Sequence, residues 1–512
     1  MDLNKHMFFF IKFIYYICIK YNMEGSGVPA ALNYGLDQIS GVSTNSFSVV
    51  SSSAGDEVSS GGRFTFLLPS VGIMDMKTSK VNFSLKLVGN GSRLPKYTTS
   101  LIDQIIVRAG GVTISQSQSG LYGAWRSIEE ETGQVHTNEL AGHREVSGTM
   151  DYVGGILTAN DAETYHTGIG ATTNLFEIDL GEIAQCHPRL LDLSILPQIS
   201  IEIVLANNTV LAAPKDSTLN KGQANNACVV NAAGLGVWSM LRPKLQANMY
   251  SLMSGAYENA LRSRMEQTGF LQVCFPNTVA FSQQFTGSAR FSIAAMSLNK
   301  LTTVFRQRKH ATAGGLVPLL GYASHTAATP TMNSIGGCGE ANGGIARWQQ
   351  KSQQFMLPTV LPDPDAAGSG VVNGAGLDSA GTAAIDYGAA GVATPVTLQY
   401  SIQSALVPQY PVDQGEALNL TCWANDIETL PDCRSYAEFF FNKFIFAFPL
   451  DLPTERYDRC AISGLSTIGS NAFITVNGSG GNLNTNDFDC LTFATCTSIL
   501  RIGAGKSIEL LS

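Results

Sequence analysis

The chain has 512 residues, more than one hydrophobic core usually holds, so two large domains, or one with big insertions, are expected. A charged fraction of only 14% with 51 glycines points to many short strands and turns, and argues against a helical bundle or a disordered chain. The formal net charge of −8, without a Lys/Arg tract, argues against a primary nucleic-acid binder, because neutralising phosphates needs clustered cations.

Residues 7–19 are apolar but interrupted by Lys12, shorter than a membrane span, and lack a small-residue cleavage site. A signal peptide or anchor is one reading; the favoured one is that Met23 opens the working chain and the first 22 residues are an upstream extension. The small, polar stretch 24–60 reads as an arm, with order beginning near Gly61. Arg63 to Leu68 then reads as a strand ended by Pro69, and Val81, Phe83, Leu85 and Leu87 alternate with polar residues in the period of a half-buried sheet. Leu101 to Val107 and Val112 to Ile114 flank Ala109-Gly110-Gly111, a hairpin.

Tyr122 to Glu131 has helical spacing, and its run Glu129-Glu130-Glu131 reads as a solvated face rather than a metal or acid/base site. Residues 132–172 suit a long insertion, after which Ile199, Ile201, Ile203 and Leu205 alternate and Gly236 to Leu245 is again β-like. Between Ser254 and Gln267 the pattern turns helical, with Ala256, Tyr257, Ala260, Leu261 and Met265 on one side and Gly269 as the stop. Beyond it the β theme restarts at Phe270 to Phe275, Ala289 to Ile293 and Leu298 to Phe305, and closes with the aromatic block Phe439 to Phe448, the region around Gly464, and Phe488 to Leu511. The Gly/Ala stretch 366–395 reads as an exposed loop.

This pattern predicts an all-β chain of two tandem antiparallel eight-stranded jelly rolls with long loop insertions and a connecting helix. The expected domains are an extension and arm at 1–44, a first jelly roll at 45–248, the connecting helix at 249–269, and a second jelly roll at 270–512.

The sequence predicts no catalytic residue, no cofactor site and no metal site. Gly503-Ala504-Gly505-Lys506-Ser507 resembles the tail of a phosphate-binding loop, but position 500 is Leu and too few residues follow for the helix that would hold the phosphate. His136 and His143 fall in a polar loop, and Asp363-Pro364-Asp365 reads as a turn. Arg306-Gln307-Arg308-Lys309-His310 is the one basic knot and reads as a solvated loop. Ten irregularly spaced cysteines read chiefly as buried free thiols, with disulfides or a metal site as lesser alternatives. Glycosylation sequons at Asn82, Asn90, Asn207, Asn419 and Asn477 fit chance occurrence, Asn82 and Asn419 lying in predicted strands.

Four segments stand out in order: Gly61 to Ser70 followed by Met74-Asp75, the hairpin from Ile105 to Gly111, the stretch from Met296 to Arg306, and Ile462-Ser463-Gly464-Leu465-Ser466-Thr467. Together they resemble double jelly-roll major capsid proteins of double-stranded DNA viruses, in flavour those of virophages and polinton-like viruses and, more distantly, of large nucleocytoplasmic DNA viruses. The resemblance implies a homotrimeric, pseudo-hexagonal capsomer that packs against neighbouring capsomers, penton and minor capsid proteins in an icosahedral shell, with no sequence-specific nucleic-acid binding and no small-molecule substrate. Two rival readings are a minor capsid or penton component, and a secreted carbohydrate-binding or glycoside-processing β-sandwich.

Overall fold

Alternating apolar residues make sheets with one buried face, and such sheets must pair face to face. The computed structural model describes residues 42–88, 98–116, 120–132, 176–210, 237–252, 255–308, 316–318, 348–350, 355–358, 396–403, 405–430, 439, 443–451, 464–468, 473–480, 483 and 488–511. The first half holds β1 (Val42–Ser51), β2 (Glu57–Ser59), β3 (Arg63–Leu67), β4 (Ile73–Asp75), β5 (Lys80–Val88), β6 (Ile102–Ala109), β7 (Val112–Gln116), β8 (Phe176–Ile178), β9 (Leu190–Asp192), β10 (Ile199–Leu205) and β11 (Val237–Leu252). One sheet runs β8-β5-β11-β4-β9, with β1 and β2 also on β11, and the other runs β3-β10-β6-β7.

The second half holds β12 (Phe270–Gln284), β13 (Ser288–Ser292), β14 (Leu298–Gln307), β15 (Leu316–Pro318), β16 (Trp348–Gln350), β17 (Thr397–Ile402), β18 (Ala405–Asp413), β19 (Phe446–Pro449), β20 (Phe473–Ser479), β21 (Phe488–Gly503) and β22 (Ile508–Leu511). Here β12-β21-β14-β19, with β22 beside β21, faces β13-β20-β17-β18, while β15 and β16 form a separate pair. Among the described residues the α-helices are α1 (Tyr122–Glu131), α2 (Gly255–Thr268) and α3 (Gln414–Asn425). The chain is thus all-β, two antiparallel jelly rolls in tandem.

Strand β10 shows the governing pattern: Ile199, Ile201, Ile203 and Leu205 are buried, and Ser200, Glu202 and Val204 are less so. Each such side chain contributes about 1.5–3 kcal/mol of burial. The first core adds Phe64, Phe66, Val81, Phe83 and Trp238; the second gathers Phe285, Phe305, Tyr400, Phe444 and Phe446. The two cores share strands. β12 and β21 pair from Phe270↔Gly503 to Gln284↔Asp489, and the start of β12 with the end of β21 beside it sends Leu271, Val273, Phe275, Leu500 and Ile502 into the first core. Farther along, Cys490, Ala494 and Cys496 pack into the second.

The predicted hairpin at Gly110-Gly111 forms between β6 and β7, and the helix at Tyr122 to Glu131 forms with those bounds. On α2, Leu261 and Met265 pack against the first core and the Tyr257 hydroxyl donates to Asp192 Oδ2 at 3.2 Å.

Four expectations need correction. Order begins before Gly61, because the backbone of β1 pairs with β11 from Val42 to Ser51 although its residues are mostly polar. Asn419 lies on α3 rather than a strand; Asp413 accepts from the Glu416 amide at 2.7 Å and Glu416 Oε2 accepts from the Asp413 amide at 3.2 Å, a capping box that starts the helix. Among the described residues of the aromatic block, Phe446 to Phe448 are strand, while Phe439 and Phe444 reach the core from outside a strand. Arg306 and Gln307 are no solvated loop: they end β14 buried, and Arg308 beside them is exposed, 3.4 Å from Asp489.

Candidate functional site: a buried charged seam

The outer face of the β12-β21-β14-β19 sheet is covered, which explains why β14 and β21 are buried on both faces. What covers it includes α1, which belongs to the first half by sequence. Its Ala124, Trp125 and Ile128 pack with Val304, Phe355, Ala424, Ile445, Ala447, Leu491 and Phe493, and the rings of Trp125 and Phe493 lie 5.1 Å apart.

The same helix carries a charged network into this dry contact. The guanidinium of Arg126, 1% exposed as a residue, donates to Glu129 Oε2 and, at 2.5 Å, to Asp179 Oδ2. Glu131 accepts from Lys443 Nζ of the second half at 2.5 Å, a buried ion pair across the seam. Glu130 accepts from the Thr99 hydroxyl at 3.0 Å through Oε1, and its buried Oε2 has no hydrogen-bond partner among the described residues. Glu182 crosses in the other direction, accepting from the backbone N–H of Thr278 on β12 at 2.7 Å and from the Ser115 hydroxyl at 3.4 Å. Lys300 of β14 stands 6.0 Å from the Trp125 ring and donates to Asn425 Oδ1 at 2.8 Å.

Burial pushes the carboxyls of Glu130 and Glu182 up to about 8; the charge of Arg126 and the Thr99 bond oppose this at Glu130, and the Thr278 bond opposes it at Glu182. Burial also raises Glu129, against the pull of Arg126. The run Glu129-Glu130-Glu131, expected on a solvated face, is therefore the centre of the seam. Burial of α1 on nearly every side is the reason: Tyr122, Trp125, Arg126, Ile128, Glu130 and Glu131 are all buried. A narrow crevice bounded by Tyr122, Trp125, Glu182, Thr278, Ala280 and Phe493 has room for little more than a water molecule.

The resemblance segments meet elsewhere. Leu298 and Leu465 exchange backbone hydrogen bonds at 2.9 Å, the Gly464 N–H donates to Ser297 Oγ at 3.1 Å, and Thr467 bonds the backbone of Ala295 in both directions. A Cβ on Gly464 would stand 2.4 Å from Ser297 Oγ and from Asn299 Oδ1, so only glycine fits. Leu465 and Ile468 beside it are exposed, 41% and 57%.

Ala504 to Lys506 form a single 3-10 turn that leads directly into β22 rather than into an α-helix. Cys186, Cys274, Cys422, Cys490 and Cys496 are free thiols, and burial pushes Cys490 and Cys496 up to about 12. Among the described residues, no group of three or more His, Cys, Asp or Glu is arranged to hold a metal ion. His136, His143, Asp363, Asp365, Lys309, His310, the stretch 366–395 and the other five cysteines lie outside the described residues.

Fold and site together define a double jelly-roll chain whose buried polar groups join its halves. No protein-family model and no curated protein matches it. In fold it is similar to the Faustovirus major capsid protein, at 7% identity and a TM-score of 0.52 over 92% of each chain. Weaker likenesses are to the PBCV-1 virus capsid, 10% identical over 94% of this chain and 99% of that one with a TM-score of 0.48, and to the Sputnik virophage, 10% identical over 95% and 92% with a TM-score of 0.45.

Proposed function

We propose that this chain is a major capsid protein, a structural building block without catalytic, cofactor or metal residues. The observation that carries the reading is the double jelly-roll fold, alike over nearly the full length of both chains to the Faustovirus major capsid protein. On this reading residues 45–248 and 270–512 are the two jelly rolls, 249–269 joins them, and three chains assemble into a pseudo-hexagonal capsomer. Capsomers then meet one another and the penton and minor capsid proteins in the virion's icosahedral shell. Exposed apolar side chains support it, since Leu406, Tyr410, Leu465 and Ile468 gain by being covered in an assembly.

The test is the mass in solution of the purified chain, full length and begun at Met23, with negative-stain imaging. Hexagonal trimers are the expected result; a stable monomer with glycan-binding or hydrolase activity overturns the reading. Leu465→Asp is expected to abolish the trimer while leaving thermal unfolding of the subunit unchanged, because Leu465 is exposed in the single chain.

A further inference from the structure

The seam between the sandwiches holds more negative than positive groups, and the excess falls on two particular side chains. Around Glu130 stand Arg126, Glu129 and Glu131 of its own helix, Asp179 after β8, and Thr99. Glu182 is faced by Ser115 of β7, Thr278 of β12, Tyr122, Arg126 and Glu129 of α1, and the Cys496 thiol of β21. Lys300 and Lys443 complete the set from the second sandwich. Among the described residues, with every group ionised, Glu129, Glu130, Glu131, Asp179 and Glu182 would oppose Arg126, Lys300 and Lys443, leaving two negative charges in excess.

Arg126 holds Glu129 and Asp179, and Lys443 holds Glu131. Glu130 and Glu182 are bonded instead by neutral groups, a threonine hydroxyl at Glu130 and a backbone amide and a serine hydroxyl at Glu182. A buried carboxylate hydrogen-bonded by neutral donors, with the nearby guanidinium engaged by other carboxylates, takes up a proton rather than bear the loss of hydration.

We propose that this seam is a proton-operated latch: it closes with Glu130 of α1 and Glu182 of the turn after β8 both protonated, and their ionisation in mildly alkaline solution loosens it. The inference does not rest on the capsid reading; it concerns how one chain holds its halves together. The direction follows from linkage. In the unfolded chain these carboxyls release protons at ordinary acidity, whereas the folded chain keeps them until about pH 8. Their contribution is therefore full below the unfolded value, declines through neutrality, and is gone above the folded one.

The test is thermal unfolding of the full chain between about pH 6 and about pH 9 at constant salt, beside the double variant E130Q/E182Q, whose amides stand in for the protonated acids. The wild type is expected to lose several degrees across that range, and the double variant less than half as much. Parallel slopes, or a wild type that does not respond, overturn the proposal. Should the double variant fail to fold, hydrogen exchange of the wild type decides. After correction for the intrinsic pH dependence, amides of α1 are expected to exchange about tenfold faster at the alkaline end relative to those of β10. Equal protection of both across the range overturns it.

Discussion

Inside the two sandwiches Phe64, Ile201, Trp238, Phe305 and Phe444 are packed to 1% exposure or less among other apolar side chains, whereas the seam between them buries Arg126, Glu130, Glu131 and Lys443. The sandwiches gain by removing hydrocarbon from water, an effect that needs no particular protonation state. The seam buries charges and hydrogen-bonding groups, so its closure responds to pH and to a single missing partner. The polar exception in the second core makes the contrast plainer. Tyr400 donates its hydroxyl to the Phe446 carbonyl at 2.8 Å and stacks on that ring at 4.6 Å, satisfied by groups that do not titrate.

The comparison can be broken first at the cores. Phe305→Ala, removing a fully buried ring that meets Phe285 at 4.8 Å, is expected to lower stability by about 3–5 kcal/mol, alike at neutral and alkaline pH, in denaturant titrations. At the seam, Lys443→Ala leaves Glu131 buried without its cation and should lower stability by about 3 kcal/mol. The paired change K443M/E131L should recover most of that loss, which Phe305→Ala offers no comparable route to do. Gly464→Ala, driving a methyl into Ser297 and Asn299, is expected to lower stability by about 1–3 kcal/mol, read as a drop in melting temperature. The smallest effect is at α3, where Asp413→Ala removes the cap for about 1 kcal/mol, visible as faster exchange of the first-turn amides.

Local pattern made much of the sandwiches legible. Alternation located β5 and β10, paired glycines located the β6–β7 hairpin, and helical spacing bounded α1. The seam was not legible, because a run of glutamates reads alike whether it faces water or a lysine. The lysine that decides the matter, Lys443, is 312 residues away, inside a block of phenylalanines that draws the eye to packing. A signal did exist for α3: Asp413 followed three residues later by Glu416, then Ala417 and Leu418, is a helix start. For β1 no such signal existed, since its register is set by the strand beside it rather than by its own polar residues. The pieces around Ser297 and Gly464 each stood out alone, but that they touch is a property of the folded chain, being 167 residues apart.

The strands common to both cores have a mechanical consequence. β12 and β21 run side by side for 15 residues, a ribbon of about 50 Å at the usual rise, with one end rooted in each sandwich. Bending one sandwich against the other would shear a ladder of backbone hydrogen bonds rather than swing a loop. The molecule is built as a beam without a joint, and a push on either end travels through it as strain in the backbone.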